Sequence, residues 1–389
     1  MKLIKLITLS ILTIVSCNNG NTSKPDQPKE KEEEENFVVA VREPDIFVGH
    51  TEGYHTFRIP AIVKTNKGTL LAFCEGRKNG GGDSGDIDLV LRRSLDGGKS
   101  WGRLQVVWDN GGNTCGNPAP VVDPETGRVH LLMTWNLGTD KSASDFNNGL
   151  TTDTRRVYYC YSDDDGKSWS KPVEITSQAK KLEWGWYATG PCHGIILEKG
   201  AHKGRIVIPC DANERLEATG ATTGYSHVIY SDDKGKTWKI GGTVKSGNES
   251  SIAELEDGRI FISCRAGGGK RLIAWSENGG ETFTAGKACA DLPDPRCQAA
   301  VLSTDWNGKR YLIHANCADA SERIKMTVKG SSGDGSSWNS GYPMPAPHTA
   351  YSDIVMIDNN VLGLFYENGE TGSYEKISFQ RIGVSYILK

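Results

Sequence analysis

The feature that most constrains this chain is a repeated pair of apolar, β-rich segments joined by a short polar turn. Each turn contains Gly or Asn between two apolar runs, and this pattern predicts antiparallel hairpins. No helical periodicity of useful length competes with it. Six hairpins are predicted, over residues 61–73, 119–133, 194–208, 252–263, 299–313 and 354–366. The sequence therefore predicts an all-β fold.

A third strand follows most of these hairpins and runs into an octapeptide of the form Ser-x-Asp-x-Gly-x-Ser/Thr-Trp. Full copies occupy 94–101, 162–169 and 231–238, and altered copies occupy 276–283 and 331–338. We interpret the Asp and Gly as turn residues and the final aromatic as packing between neighbouring units, so these Asp residues are not expected to be catalytic.

Repeating units of about 50 to 75 residues, each with three or four antiparallel strands, are typical of a β-propeller. Six hairpins predict a six-bladed β-propeller. The last unit lacks an octapeptide. We expect its outer strands to be residues 376–382 and a strand from the other end of the chain, which closes the ring.

The first 36 residues differ in composition from the rest. Lys2 and Lys5 precede an apolar run, 6–15, that is typical of a secretory signal and too short to span a bilayer. The segment ending at Cys17 resembles a bacterial lipobox, which implies a lipoprotein signal peptide over 1–17 and a lipidated Cys17. An ordinary signal peptide with an incidental Cys is the alternative. Residues 18–36 are polar and acidic, as in a disordered tether, and 37–389 form the predicted propeller domain.

These features predict a protein that is exported and lipid-anchored to the bacterial outer membrane, on its periplasmic or cell-surface face. The net charge of -3 excludes a general positive field that would hold nucleic acid. The nine cysteines after Cys17 show no metal-ligand spacing and no disulfide framework. We expect no metal, no cofactor, contact with the membrane through the N-terminal lipid only, and a monomer.

In a propeller the first strands of the blades converge on the axis, so residues beside them meet on one face. Those positions hold Arg58, Glu249, Arg265 and Tyr351. Clustered arginines indicate a carboxylate or phosphate ligand, because a guanidinium pairs bidentately with planar anions. Separate ion pairs for each arginine are the alternative. Trp184, Trp186 and Tyr187 are expected either to stack on a sugar or to pack between blades.

The segment Phe57-Arg58-Ile59-Pro60, followed by Ala61-Ile62-Val63 and the downstream octapeptides, strongly resembles the bacterial sialidases, also called exo-α-sialidases or neuraminidases. The resemblance covers roughly residues 42–389. It implies a six-bladed propeller that hydrolyses terminal sialic acid from glycoproteins, glycolipids or oligosaccharides.

The resemblance also implies a role for each site residue. The carboxylate of sialic acid would be gripped by Arg58, Arg265 and Arg323, with Lys325 as an alternative for the third. Tyr351 would be the nucleophile and Glu249 its partner. Asp83 would be the acid/base, chosen over Asp86 and Asp88 by its distance from Leu91-Arg92-Arg93. Arg77 would lie beside the carboxylate or the C4 substituent.

These residue types suit the chemistry. Sialic acid carries a carboxylate on its anomeric carbon, so a neutral phenol approaches with less repulsion than a carboxylate nucleophile. The phenol needs a base, and Asp83 needs a pKa raised by a partly desolvated loop. Two displacements at one carbon imply retention. The alternatives are an intramolecular trans-sialidase with the same catalytic set and a non-catalytic sialoglycan-binding propeller.

Overall fold

The computed structural model describes residues 45–216 and 219–388. The predicted signal peptide, the lipidated Cys17 and the tether over 18–36 lie outside the described residues. Within the two described ranges the structure is all-β, as predicted, with 25 strands and three short helices, α1 (Ala143–Asn148), α2 (Thr176–Ala179) and α3 (Val384–Ile387). None of the helices in these two ranges is long and apolar enough to cross a membrane.

The strands form antiparallel groups that follow one another along the chain. One strand, β1 (Asp45–Val48), precedes the first group. The first group contains β2 (Thr56–Lys64), β3 (Leu70–Arg77), β4 (Ile87–Ser94) and β5 (Gln105–Trp108). The second contains β6 (Thr114–Val122), β7 (Val129–Asn136), β8 (Arg156–Ser162) and β9 (Val173–Glu174). A single parallel pair, Ile87 with Thr114, joins these two groups into one eight-stranded sheet.

The next three groups are separate sheets. The third contains β10 (Trp184–Thr189), β11 (Ile195–Ile196), β12 (Ile206–Arg215), β13 (Thr222–Ser231) and β14 (Lys239–Lys245). The fourth contains β15 (Ser250–Glu254), β16 (Ile260–Cys264), β17 (Lys270–Ser276) and β18 (Lys287–Pro293). The fifth contains β19 (Ala300–Trp306), β20 (Lys309–Cys317), β21 (Met326–Ser331) and β22 (Tyr342–Pro343).

The last group combines the two ends of the described chain. It contains β23 (His348–Met356), β24 (Val361–Gly369) and β25 (Lys376–Gly383), and β1 pairs with the outer edge of β25. The predicted pairing of a strand from the N-terminal side with the final segment is therefore present. It couples the beginning of the domain to its end.

The third group departs from the predicted hairpin. Its inner strand is split into β10 and β11, which pair with different stretches of β12. Pro191 lies in the gap between them and has no N–H to donate to a strand partner. Of the predicted hairpin over 194–208, the structure keeps the pairing of the two-residue strand β11 with β12.

The octapeptides form hydrogen-bonded turns that explain their sequence. In the first copy, Asp96 accepts the backbone N–H of Ser100 at 2.9 Å, and Ser94 Oγ accepts the N–H of Gly98 at 2.8 Å. Asn278 replaces Asp in the fourth copy and makes the equivalent bond to the Thr282 N–H. In the fifth copy Asp334, one residue further on, accepts the N–H of Ser336 instead.

The Gly and the closing aromatic of each octapeptide face the neighbouring group. Gly98 has a φ of 89°, and a Cβ there would collide with the ring of Phe379. Trp101 packs on that same ring, with centroids 5.3 Å apart. Equivalent contacts join Trp169 to Phe73, Trp238 to Tyr159, and Trp338 to Phe261. The predicted packing between neighbouring units is present.

The first strands of the groups lie against one another. β2 contacts β23 on one side and β6 on the other, and β6 contacts β10 and β11. β15 contacts β11, β12 and β19, and β19 contacts β23. Side chains carried by these strands are thereby brought together although they are far apart in sequence.

Asp353, on β23, ties three groups together. Its carboxylate accepts the backbone N–H groups of Ile62 and His193 at 2.9 and 3.0 Å, and His193 Nδ1 donates to it at 2.7 Å. Burial alone would lower the pKa of His193, but the Asp353 carboxylate raises it above its ordinary value. The contact with Asp353 therefore favours the protonated imidazole in the folded state.

This contact predicts a pH-dependent stability. A raised folded-state pKa gives stability that is fully present below the unfolded value of about 6.5 and is lost as the pH rises through the folded value. His193→Asn should lower the free energy of unfolding by about 1.5–3 kcal/mol at pH 5 and by less at pH 8. Urea unfolding across that range measures the difference, and a difference independent of pH would contradict the charged pair.

A second variant, His227→Asn, should show the opposite pH dependence of stability. His227 is fully buried, and burial lowers its pKa to about 3, so protonation of the unfolded chain destabilises the wild type as the pH falls. The free energy of unfolding of His227→Asn, taken relative to that of the wild type, should therefore rise as the pH falls toward 5.

Candidate active site

Irregularities in the first strands place the key side chains. In β2 the pairing register shifts between Arg58 and Ala61, and Ile59 has a φ of 65°. In β6 it shifts at Asn117, whose φ is 52°. In β23 it shifts between Thr349 and Ser352, around Tyr351. Bulges of this kind turn a side chain out of the regular alternation, and here they occur at corresponding places in three strands.

Glu367, on β24, holds two of these irregular segments. Its buried carboxylate accepts Arg58 Nε and Nη2, both at 3.0 Å, and the backbone N–H groups of Ile59 at 2.9 Å and Tyr351 at 3.0 Å. Glu75, on β3, has a similar role toward the second group, because it accepts the Asn117 N–H at 2.9 Å.

Tyr351, Glu249 and Arg265 form a compact hydrogen-bonded cluster. The Tyr351 hydroxyl donates to the Glu249 carboxylate, with O···O distances of 2.7 and 2.8 Å. Arg265 Nη1 donates to Tyr351 Oη at 2.7 Å and to Glu249 at 2.6 Å. Tyr351 is 5% exposed and Glu249 is 9% exposed, so the cluster is largely shielded from water.

The surroundings keep the phenol protonated. Burial raises the pKa of Tyr351 well above its ordinary value, and the Glu249 carboxylate raises it further, against opposing effects of Arg265 and Arg58. The hydroxyl proton is shared with Glu249. The arrangement is therefore a neutral phenol with a base already in contact.

Arg58 and Arg323 also contact the Tyr351 ring. The guanidinium carbons lie 4.9 Å (Arg58) and 5.4 Å (Arg323) from its centroid. Lys325 points elsewhere: its ammonium pairs with Asp319 at 2.9 Å, and its side chain is 62% exposed. The structure thus brings Arg58, Arg265 and Arg323 together around one phenol and leaves Lys325 outside.

Asp83 lies next to this cluster in a glycine-rich loop. Its side chain is 63% exposed, 2.9 Å from Arg77 Nη1 and 3.9 Å from Arg58 Nη1. Desolvation acts to raise the pKa of Asp83, but Arg77 and Arg58 outweigh it and lower the pKa below its ordinary value. The expectation of a raised pKa was wrong for the protein without substrate, because two guanidinium groups stabilise the ionised carboxylate.

Asp86 and Asp88 belong to the entry of β4. Asp86 pairs with Lys78 at 2.9 Å, and Asp88 pairs with Lys78 at 3.1 Å and accepts the Tyr54 hydroxyl at 2.7 Å. The interpretation of both as strand-entry residues agrees with this placement.

Arg77 lies at the edge of the cluster, behind Asp83. Its side chain is 2% exposed, and it donates to Glu75 through Nε and Nη2, to the Gly81 carbonyl and to Asp83. Arg77 therefore supports Asp83 and its loop, and its expected place beside the substrate's carboxylate or C4 substituent stays a prediction.

The aromatic residues at the start of the third group, in β10, mostly pack against other side chains. Trp184 and Tyr187 are buried in a hydrophobic cluster, which favours the packing alternative for both. Trp186 is partly exposed and covers Arg155, whose guanidinium carbon is 3.9 Å from the Trp186 ring centroid. Sequence reasoning missed Arg155, which follows no motif; it is fully buried and donates to Asn117.

Sequence reasoning also gave no role to Glu367 and overlooked Tyr374. Glu367 is one of the polar positions that follow the second strands on the converging face, but its sequence context assigns it no function. Tyr374 follows no repeat position, and only the folded chain shows that its hydroxyl accepts Arg323 Nη1 at 2.6 Å. Among residues 45–216 and 219–388, no group of three or more His, Cys, Asp or Glu side chains is arranged to hold a metal ion.

Comparison with known proteins identifies the family. A family model described as a BNR repeat-like domain matches residues 68–365. The chain is 32% identical over 367 residues to an exo-alpha-sialidase of Aspergillus fumigatus, and the match covers 86% of each chain. The chain belongs to the sialidase family. A sialidase of Bacteroides fragilis is 30% identical over 355 residues, covering 86% of this sialidase-family chain and 63% of that protein.

Solved structures agree with this assignment. The Hadza microbial sialidase Hz136 has a TM-score of 0.77 and 26% identity, covering 86% of this chain and 67% of that one. A leech intramolecular trans-sialidase has a TM-score of 0.74 over 90% of this chain and 71% of that one. At 17% identity, this second likeness shows the fold alone.

The positions of Arg323 and Lys325 in this sialidase-family chain predict that their replacement has different effects on ligand affinity. Arg323→Ala should weaken binding of a sialic-acid analogue that bears a carboxylate by roughly 10- to 100-fold, because hydrogen bonds to a charged group are lost. Lys325→Ala should leave binding within about twofold, because its ammonium pairs with Asp319. Isothermal titration calorimetry measures both, and unchanged affinity in Arg323→Ala would transfer the role to Lys325.

Proposed function

We propose that this chain is an exo-α-sialidase that releases terminal sialic acid from glycoconjugates with retention, through a tyrosyl-enzyme intermediate. The observation that carries the proposal is the Tyr351–Glu249–Arg265 cluster, in which the phenol donates to a carboxylate while an arginine donates to the phenol oxygen. The names of the matched relatives, exo-alpha-sialidase and sialidase, support the same activity.

The substrate carboxylate would bind to Arg58, Arg265 and Arg323. Arg58 donates to Glu367 through Nε and Nη2. Its Nη1 lies 3.9 Å from Asp83, beyond hydrogen-bond distance, and would donate to the ligand. No carboxylate among the described residues forms an ion pair with Arg323. Three guanidinium groups around a single phenol supply the positive charge that an anionic sugar requires.

In the first step the Tyr351 oxygen attacks the anomeric carbon as the bond to the leaving glycosidic oxygen breaks. Glu249 takes the phenolic proton, and Asp83 gives a proton to the leaving oxygen. The N–H of Arg265 stabilises negative charge on the phenol oxygen as the proton departs. The product of this step is a sugar bonded to Tyr351.

In the second step water attacks the anomeric carbon from the side that the leaving group vacated. Asp83 accepts a proton from this water, the bond to Tyr351 breaks, and Glu249 returns the proton to the phenol. Two inversions at one carbon give net retention.

The lowered pKa of Asp83 bears on the first step, because the general acid must be protonated. A bound substrate brings a negative charge to the arginines that hold the Asp83 pKa down, Arg58 among them. Their effect on Asp83 is then partly offset, and its pKa rises when a proton is needed. Substrate binding and protonation of the acid are therefore coupled.

We also propose that the six antiparallel groups are the blades of a closed six-bladed propeller. The succession of contacts between inner strands, from β2 through β6, β11, β15 and β19 to β23 and back to β2, supports this arrangement. The proposed place of action is outside the cytoplasm, at the outer membrane, where sialylated glycans are within reach. This location rests on the N-terminal sequence alone.

The proposal predicts that Tyr351→Phe lowers turnover of a sialyllactose by several orders of magnitude, because the nucleophilic oxygen is removed while the ring remains between the arginines. Release of sialic acid is followed by mass spectrometry. Tyr161→Phe is the matched control, since Tyr161 also stacks on an arginine, Arg128 at 3.9 Å, with no contact to the cluster.

Three outcomes separate the alternatives. Free sialic acid from the wild type, lost in Tyr351→Phe, agrees with hydrolysis. A 2,7-anhydro-sialic acid as the main product would replace hydrolysis by intramolecular transfer. Binding without turnover by the wild type would indicate a glycan-binding propeller instead.

A further inference from the structure

Tyr374 stands over two of the three site arginines. Its ring centroid is 3.9 Å from the guanidinium carbon of Arg58, closer than the 4.9 Å that separates Arg58 from the Tyr351 ring. Its hydroxyl accepts Arg323 Nη1 at 2.6 Å. One side chain therefore touches Arg58 through its π face and Arg323 through its oxygen.

The backbone that carries Tyr374 is held by its neighbour. Glu375 accepts the backbone N–H groups of Glu370, Thr371 and Gly372 at 3.0, 2.8 and 3.0 Å, which closes the turn between β24 and β25. The carbonyl of Glu375 accepts the N–H of Gly49 at 2.9 Å, next to β1. Tyr374 thus projects from a fixed turn even though the residue is 38% exposed.

Arg323 depends on this contact more than the other two arginines do. Arg58 is fixed by Glu367, and Arg265 is fixed by Glu249 and Tyr351. No such carboxylate fixes Arg323 within the ranges that the structure describes; its side chain meets the hydroxyl of Tyr374 and the ring of Tyr351. Without Tyr374, a long and flexible side chain would have to be ordered by the ligand itself.

We propose that Tyr374 is a positioning residue that sets the spacing of Arg58 and Arg323 before the sugar carboxylate arrives. Its π face stabilises the Arg58 cation, and its hydroxyl orients the Arg323 fork toward the same ligand. Prearranged donors spare the complex the entropy of ordering them on binding. This inference rests on the proposed function, because it assigns these arginines to the substrate carboxylate.

The test compares two ligands that differ in one charge. The probes are 2-deoxy-2,3-didehydro-N-acetylneuraminic acid, which bears the carboxylate, and its neutral C1 carboxamide. Tyr374→Ala should weaken binding of the acid roughly tenfold, because both the ring and the hydroxyl are lost. Tyr374→Phe retains the ring and should weaken it about threefold. Binding of the carboxamide should change less than twofold in either variant.

Tyr161→Ala is the matched control, because it removes an Arg–Tyr stack of the same 3.9 Å spacing away from the site and should leave both affinities unchanged. Thermal unfolding is measured for all variants. If Tyr374→Ala does not fold, Tyr374→Phe still decides, since it removes one oxygen only. Steady-state kinetics should show the loss in KM for a sialoside more than in kcat.

The inference is overturned if both Tyr374 variants bind the acid as the wild type does, or if acid and carboxamide lose affinity equally. Failure of the proposed function looks different. In that case the wild type itself neither binds the acid nor releases sialic acid, whatever residue stands at 374.

Discussion

The site depends on one buried carboxylate, that of Glu367. It accepts two N–H groups of Arg58 and the backbone N–H groups of Ile59 and Tyr351. A buried carboxylate is costly unless such donors surround it, so these partners are held firmly. Because Arg58 lies in the first group of strands and Tyr351 in the last, the contact that joins the ends of the domain also fixes an arginine against the phenol.

The second constraint is charge balance around that phenol. Arg58 is compensated by Glu367 and Arg265 by Glu249, whereas no carboxylate among the described residues pairs with Arg323, which contacts the Tyr374 hydroxyl and the Tyr351 ring. The cluster therefore keeps an excess of positive charge at the position proposed for the sugar carboxylate. Beside it, Arg77 and Arg58 lower the pKa of Asp83 below its ordinary value. A ligand of opposite charge would relieve both conditions at once, which links recognition to proton transfer.

Contacts between residues close in sequence could be predicted from the sequence, whereas contacts between distant residues could not. The hairpins pair strands that follow each other along the chain, and the octapeptide turns are held by bonds between residues four apart, such as Ser100 to Asp96, so both patterns are visible in the sequence. Arg58 and Tyr351 were found through motifs. The Arg58–Glu367 pair spans 309 positions, and the stacking of Tyr374 on Arg58 follows no period. The pKa of Asp83 was misjudged because it depends on Arg77 and Arg58, whose positions only folding determines.

The most direct test of the account is the identity of the residue that bonds to the sugar. With 2,3-difluorosialic acid the bond to the C2 fluoride breaks as the nucleophile bonds to C2, and the C3 fluorine slows both formation and breakdown of the intermediate, so a covalent adduct accumulates. After digestion, mass spectrometry of the labelled protein locates the added 3-fluorosialosyl group. The account predicts the label on Tyr351 and its loss in the presence of a competing sialic-acid analogue. A label on Asp83, Glu249 or another residue in an enzyme that hydrolyses sialosides would contradict it.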